Sequence, residues 1–162
     1  MNIRPAQLSD LDTAMVLYDA GRAFMRCSGN ANQWINGYPS RAMVEADIRS
    51  GHLFVAEEDG ETAAVFCFFH GEDAEPTYRV IDGAWLADGP YGVIHRMVSG
   101  GKYPRMVELC TDWCLDRCPS LRIDTHRDNR PMRRALERCG FTRCGVIIIA
   151  DGSERIAYQK IK

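Results

Sequence analysis

The sequence predicts an α/β fold, with a single mixed, mostly antiparallel twisted sheet flanked by helices. Three observations predict it. Apolar runs of strand length, among them Thr62 to His70 and Phe141 to Ile149, alternate with stretches whose apolar residues recur every three to four positions. Two turn pairs, Asp59-Gly60 and Asp151-Gly152, each join neighbouring strand runs as hairpins do. No repeat, low-complexity tract or linker divides the 162 residues, a length that buries one substantial core, so a single domain over residues 1–162 is expected.

Each element has its own local cause. Asn2 to Ala6 suits a short edge strand, and Ser9-Asp10 supplies an N-cap before the helical pattern Leu11, Met15, Leu17, Tyr18. Ser28 to Pro39 is rich in turn formers yet carries Trp34 and Tyr38, a loop with two large rings to place. Ser40 caps a helix that runs through Ile48 and ends at Ser50-Gly51. Leu53 to Glu57 and Thr62 to His70 then form a hairpin in the middle of the sheet. The acidic stretch Gly71 to Pro90, with Tyr78 and Trp85, reads as a long surface insertion or a poorly ordered lid. Tyr91 to Val98 is a strand, Ser99 to Pro104 a loop, and Arg105 to Cys118 a helix with Met106, Leu109, Cys110, Trp113 and Cys114 inward. After the strand Leu121 to Thr125, Asn129 caps a helix with Pro131 near its start, which closes at Gly140. Phe141 to Ile149 and the residues after Gly152 complete the sheet, and parallel units take right-handed crossovers.

Composition narrows the function by exclusion. A formal net charge of -2 leaves no overall surplus of Lys and Arg to neutralise phosphates, so no nucleic-acid partner is expected. A local surplus does exist. Arg122, Arg127, Arg130, Arg133, Arg134, Arg138 and Arg143 stand against Asp124, Asp128 and Glu137, which suits a small polyanionic ligand as well as a solvated helix face. Met1 to Gln7 contains no apolar h-region and no apolar run reaches bilayer length, so no membrane partner and a cytoplasmic location are expected. Seven cysteines without a secretory context read as reduced thiols. Cys110, Cys114 and Cys118 tempt as metal ligands, but on a helix the outer two lie about 12 Å apart along the axis, too far for one zinc. They read as a small buried helix face, and no metal is expected.

The sharpest ligand-binding feature is the junction where the Tyr91–Val98 strand passes through Ser99-Gly100-Gly101-Lys102-Tyr103-Pro104 into the Arg105 helix. Free amides at a helix N-terminus, a glycine pair and the cations Lys102 and Arg105 favour a phosphate group there.

Three stretches together resemble the GNAT acetyltransferase superfamily, over essentially the whole chain. Ile3-Arg4-Pro5-Ala6 followed by Ser9-Asp10-Leu11 resembles its opening strand and first helix, and Tyr91 to Cys118 resembles its strand–loop–helix for the CoA pyrophosphate. Leu121 through Asn129 to Ala135-Leu136-Glu137-Arg138-Cys139-Gly140-Phe141 resembles its closing strand, Asn and helix ending in Gly-Phe, the most specific match. Asn32-Gln33-Trp34 with Tyr38-Pro39-Ser40 resembles a subgroup of small bacterial members.

The resemblance implies a GNAT-like acyl-CoA N-acyltransferase fold, acetyl-CoA as cosubstrate, and transfer of its acetyl group to a primary amine of a small molecule or peptide. Carried over by position, Arg96-Met97-Val98 would pair with pantetheine through the backbone, and the Met97 amide would polarise the thioester carbonyl. Gly101, Lys102, Tyr103, Arg105 and Met106 would meet the pyrophosphate, with Asn129 and Arg133 on the cofactor arm. Asn129 has a second reading, as the group that holds the splayed end of its strand. In the family two strands part to make the thioester slot, and His95 and His126, one on each strand, would lie near it. Trp34, Tyr38, Trp85 and His95 would shape an acceptor pocket, since amphipathic rings suit an amine through cation–π contact.

Two departures from the family pattern matter. Its phosphate loop reads Arg/Gln-x-x-Gly-x-Gly/Ala, and Lys102, Arg105 and Val107 stand on those three positions, where bulk limits the approach of backbone to a pyrophosphate. Leu136 stands where many members carry a Tyr that protonates the departing thiolate, so His126, another Tyr or water must serve. His126 follows a strand in the polar run Asp124-Thr125-His126-Arg127-Asp128, and a histidine titrates near neutrality. A non-catalytic acyl-CoA-binding regulatory module with the same fold is the alternative, and a homodimer stays open. A thiol redox protein is disfavoured because no Cys-x-x-Cys occurs.

Overall fold

The apolar runs become eight strands of one sheet. In a computed structural model that describes residues 1–162, the strands are β1 (Asn2–Pro5), β2 (Leu53–Glu58), β3 (Glu61–Gly71), β4 (Asp82–Gly83), β5 (Tyr91–Ser99), β6 (Ser120–Thr125), β7 (Thr142–Ile148) and β8 (Glu154–Ile161). Four helices accompany them: α1 (Leu11–Cys27), α2 (Arg41–Arg49), α3 (Met106–Leu115) and α4 (Arg130–Arg138). The order across the sheet is β1-β2-β3-β5-β6-β8-β7-β4. β5 and β6 pair parallel, while β1–β2, β2–β3, β6–β8, β7–β8 and β4–β7 pair antiparallel. This is the mixed, mostly antiparallel sheet that the periodicity predicts. By contacts the chain forms two compact units, Met1–Phe68 with His95–Met106, and Phe69–Ile94 with Val107–Lys162.

In the first unit, the expected Ser9-Asp10 cap is replaced by something else. A short 3-10 turn, Leu8–Asp10, precedes α1, and Asp10 makes no side-chain cap bond to that helix. Its carboxylate is occupied: it accepts from both terminal nitrogens of Arg4 at 2.8 and 3.0 Å and from the Gln7 amide at 2.7 Å. A charged donor fork outcompetes a helix amide for the same oxygens. Ser40 does cap α2, accepting from the Met43 amide at 3.2 Å. Gly21 sits mid-helix in α1 for packing: an added Cβ would lie 2.7 Å from Val98 Cγ2 and 3.3 Å from Trp34 Cζ3. The core of this unit is mostly apolar. Tyr18, Val44, Leu53, Val55, Ala64, Val65, Phe66 and Cys67 have no exposed surface, and each large side chain so buried contributes roughly 1.5–3 kcal/mol.

In the second unit, the stretch expected as a surface insertion or poorly ordered lid is instead pinned. Tyr78 is 1% exposed, belongs to a core cluster with Tyr91, Val93, Ile147 and Ala157, and donates its hydroxyl to Asp124 at 2.7 Å. The buried Gln159 side chain accepts from the Leu86 amide at 2.7 Å and donates to the Ala87 carbonyl at 3.3 Å. A two-residue strand, β4, then pairs Gly83 with Gly145 of β7. Both glycines are required, since a Cβ on either would stand 2.2 Å from a backbone oxygen of the other strand.

α3 begins at Met106 rather than Arg105 and ends at Leu115, and of the residues expected inward it buries Met106, Cys110 and Cys114 but not Leu109 or Trp113. Met106, Cys110, Thr111, Cys114 and Leu115 are buried, whereas Leu109 is 36% exposed and Trp113 is half-buried under the Arg117 guanidinium, 3.6 Å from its ring centre. The α4 end follows its sequence signals: Gly140 at φ +84 donates to Glu137 O and Phe141 to Leu136 O, the paired bonds of a Schellman cap.

Candidate active site

The most unusual backbone in the first unit lies inside a strand. Arg96, in the middle of β5, has φ +52, a conformation that a non-glycine L-residue rarely takes. Its surroundings hold it on two sides. The Tyr18 hydroxyl of α1 donates to the Arg96 carbonyl at 2.9 Å. The guanidinium donates to Asp47 Oδ1 of α2 at 2.9 Å and to the Tyr38 hydroxyl at 3.3 Å. The Cys67 thiol lies 3.3 Å from the other Asp47 oxygen, and burial pushes that thiol up to about 12. Burial likewise raises the Tyr18 pKa, so its hydroxyl stays a donor. Trp34 packs edge-on to Tyr18 at 5.6 Å and tilted against Tyr38 at 6.5 Å. The two loop aromatics read as acceptor-pocket residues therefore meet around Arg96. Next along β5 come the half-buried Met97 and the buried Val98; His95, before Arg96, is half-buried.

The loop after β5 is exposed from Ser99 to Lys102 and again at Pro104 and Arg105, with Tyr103 half-buried. The Gly100 amide is already bonded to Ala63 O at 3.0 Å, and the Tyr103 hydroxyl donates to Glu58 O at 3.2 Å. Lys102, expected on a phosphate, pairs with Glu61 at 2.6 Å, both side chains being more than half exposed. A solvent-exposed pair of this kind contributes little, so an anion can displace the carboxylate readily. Arg105 has φ +62 immediately before the first residue of α3, where the family pattern has glycine.

The remaining candidates stand in the second unit. Along β6 the register with β5 pairs Gly92 with Leu121 and Val93 with Arg122, while that with β8 runs to Thr125 opposite Ile156. Just beyond, His126 Nδ1 accepts from the Asp128 amide at 3.2 Å, which leaves Nε2 to carry the proton of the neutral ring. Burial lowers the His126 pKa from its ordinary value, the Arg155 charge adds to this, and Asp128 opposes it. Asn129 is 6% exposed and caps α4 by accepting from the Met132 amide at 3.3 Å. Arg133 is turned to structure: Nε donates to the Tyr158 hydroxyl at 3.2 Å and Nη1 to Arg127 O at 3.0 Å. Trp85 donates to Tyr78 O at 3.0 Å and carries the Arg122 guanidinium 4.2 Å above its ring. Its nitrogen and one face are thus already in use.

Solved structures similar to this chain include acetyltransferases. A GNAT-family acetyltransferase from Streptococcus agalactiae is 32% identical over 99% of this chain and 95% of its own, with a TM-score of 0.89. The chain belongs to the GNAT acetyltransferase family. A Listeria monocytogenes member of the family, 16% identical with a TM-score of 0.70, covers 99% of the chain and 94% of its own. The aminoglycoside acetyltransferase AAC(6')-Ib, in complex with coenzyme A and kanamycin, has the same fold at 15% identity and a TM-score of 0.67, over 99% and 93%. No family model and no curated protein sequence matches the chain.

For a GNAT chain, the residues that sequence reading missed are Tyr18, Asp47 and Cys67 around Arg96, and Tyr158 and Gln159 on β8. Asp47 did leave a signal. It lies three residues after Val44 and one before Ile48, both buried, so the helix period itself puts a carboxylate on the inward face, where it demands a partner. Leu136, on the family's tyrosine position, has no exposed surface and serves packing. No helix is long and apolar enough to cross a membrane.

Proposed function

We propose that this GNAT chain transfers the acetyl group of acetyl-CoA to a primary amine of a small molecule or peptide, in the cytoplasm, with residues 1–162 acting as one domain. The observation that carries the reading is the left-handed Arg96 immediately before Met97, on the strand that the family resemblance assigns to the thioester. Use of coenzyme A and of an amine acceptor is in keeping with the fold neighbour bound to coenzyme A and kanamycin.

The residues fit the cosubstrate's phosphates in donor chemistry. The exposed Ser99–Arg105 loop leads into the N-terminus of a ten-residue helix and carries Lys102 within reach of solvent. The fit in shape is looser, because Arg105 and Val107 keep side chains where a close backbone approach needs none. Acetyl-CoA supplies an activated thioester carbonyl, which an unprotonated amine attacks. Met97 offers its amide to the carbonyl oxygen as negative charge grows there, an interaction stronger in the transition state than before it. Val98 continues the backbone contacts along pantetheine, and Trp34 and Tyr38 hold the acceptor near Arg96. The C–N bond forms as the C–S bond breaks, and the proton that the amine gives up passes through solvent to the departing thiolate; the Nδ1 lone pair of His126 is already taken by the Asp128 amide, so His126 does not serve as the base.

Thermal unfolding with and without millimolar acetyl-CoA, together with free-thiol release across an amine panel, tests this. Ligand at a hundred times its Kd stabilises the fold by about 2.7 kcal/mol, so a clear rise in Tm is expected. Replacing Lys102 and Arg105 by Ala should shrink that rise without altering the unliganded Tm. No rise with acetyl-CoA or CoA refutes the proposal. A rise without thiol release from any amine instead supports the acyl-CoA-binding regulatory module.

A further inference from the structure

Arginine at φ +52 needs a cause. The left-handed conformation disfavours an L-residue by roughly five- to thirtyfold, and glycine would take it freely. Nothing in the shape of β5 alone requires a long cation there, so the side chain's tether is what selects the backbone. That tether is the Arg96–Asp47 pair at 2.9 Å, both side chains 13% exposed, with the Tyr38 hydroxyl on the second terminal nitrogen. The Arg96 carbonyl is held independently by Tyr18. As a source of stability the pair is poor, because desolvating both charges offsets most of their attraction. As a device that fixes one peptide plane it is well placed, since guanidinium, carboxylate, phenol and carbonyl contacts all converge on residue 96. A left-handed residue in a strand also turns the following peptide away from the direction its neighbours keep, and the following amide is that of Met97.

We propose that Asp47 is a positioning residue for acetyl transfer: through the Arg96 guanidinium it holds residue 96 left-handed and so aims the Met97 amide. This rests on the reading that the Met97 amide meets the thioester carbonyl. Asp47 touches no reacting atom. It acts through Arg96.

The test compares two double variants that remove the same charges and differ by a single Cβ, Asp47→Asn/Arg96→Ala and Asp47→Asn/Arg96→Gly. The probe is carbonyl-13C acetyl-CoA, and the reading is the downward shift of its carbonyl stretching frequency on binding, a direct report of hydrogen bonding to that oxygen. The parent should lower the frequency. The Ala variant should lose most of that lowering, because alanine abandons φ +52 once the tether is gone, and the Gly variant should recover it. Populations of the aimed amide should differ by about fivefold or more between the two. Asp47→Asn alone, which keeps shape and an acceptor, should give a smaller loss and serves if a double variant does not fold. Equal frequencies in the parent and all three variants would overturn the role of Asp47 while leaving the Met97 reading intact. No lowering in the parent, with acetyl-CoA shown to be bound by its Tm shift, would overturn the Met97 reading and this proposal with it.

Discussion

Two buried arginines in this chain solve one problem in different ways. Arg96 and Arg122 each leave Nε buried without a partner, so each carries the same unmet cost. Arg96 answers it with a carboxylate, Asp47, and with the Tyr38 hydroxyl. Burial works to lower its pKa, but the neighbouring Cys67, Tyr38 and Asp47 groups outweigh it, and the net direction is up. Arg122, 5% exposed, lies between two rings, 3.9 Å from the centre of Tyr91 and 4.2 Å from that of Trp85, and donates to Ala87 O at 2.9 Å. Its pKa is lowered, because burial dominates. The difference lies in what each partner becomes when the arginine interaction is lost. Either charge of the Arg96–Asp47 pair left alone in the interior is uncompensated, whereas two aromatic rings left alone are ordinary core.

The largest effect should therefore come from the acidic side of the first arrangement. Asp47→Ala strands the Arg96 charge and removes the acceptor of the Cys67 thiol, and should cost about 3–5 kcal/mol in urea unfolding. Arg122→Met keeps the volume between the rings and gives up cation–π attraction worth about 1–2 kcal/mol, partly offset by the charge that no longer has to be buried. Ala87 O would keep the Gln159 donor at 3.3 Å. If urea midpoints showed Arg122→Met to be as damaging as Asp47→Ala, the distinction between the two environments would collapse.

The same contrast shows where sequence reading reaches. Elements declared by local chemistry were legible: the Ser40 cap, the hairpin around Asp59-Gly60, and the Asn129 to Gly140-Phe141 helix with both its ends. Elements that exist through a distant partner were not. β4 is two residues long, too short for any period, and depends on Gly83 meeting Gly145 more than sixty residues later. The hairpin of β7 and β8 was expected, but its insertion with β8 beside β6 is decided by pairing alone. In α3 the reading by size turned Leu109 and Trp113 inward, while the fold buries Thr111 and Leu115 instead. In the site, the glycine loop before a helix N-terminus pointed to Lys102, and the family resemblance to Met97. Asp47 was passed over because an acid in an amphipathic helix reads as solvated face, and the left-handed backbone of Arg96 was not foreseen because a positive φ leaves no trace in a non-glycine residue.

His126 offers a third solution to burying a basic group, and the smallest expected effect: it gives up its charge. Its Nδ1 accepts from the Asp128 amide, and burial with the Arg155 charge holds its folded pKa below the ordinary 6.5 against the weaker pull of Asp128. A base whose folded pKa is depressed contributes stability that is fully present above its unfolded pKa. That contribution is lost as pH falls through the folded pKa, because the unfolded chain takes up the proton first. His126→Gln cannot titrate, yet can still accept from the Asp128 amide. The stability difference between parent and variant, measured by urea unfolding from pH 8 to pH 5, should be constant above about pH 7 and should fall, to the parent's disadvantage, below about pH 6.5. The other carboxylates cancel in this difference because both proteins carry them. A difference that instead grew in the parent's favour on acidification would mean that Asp128 outweighs burial and that the ring is cationic in the fold.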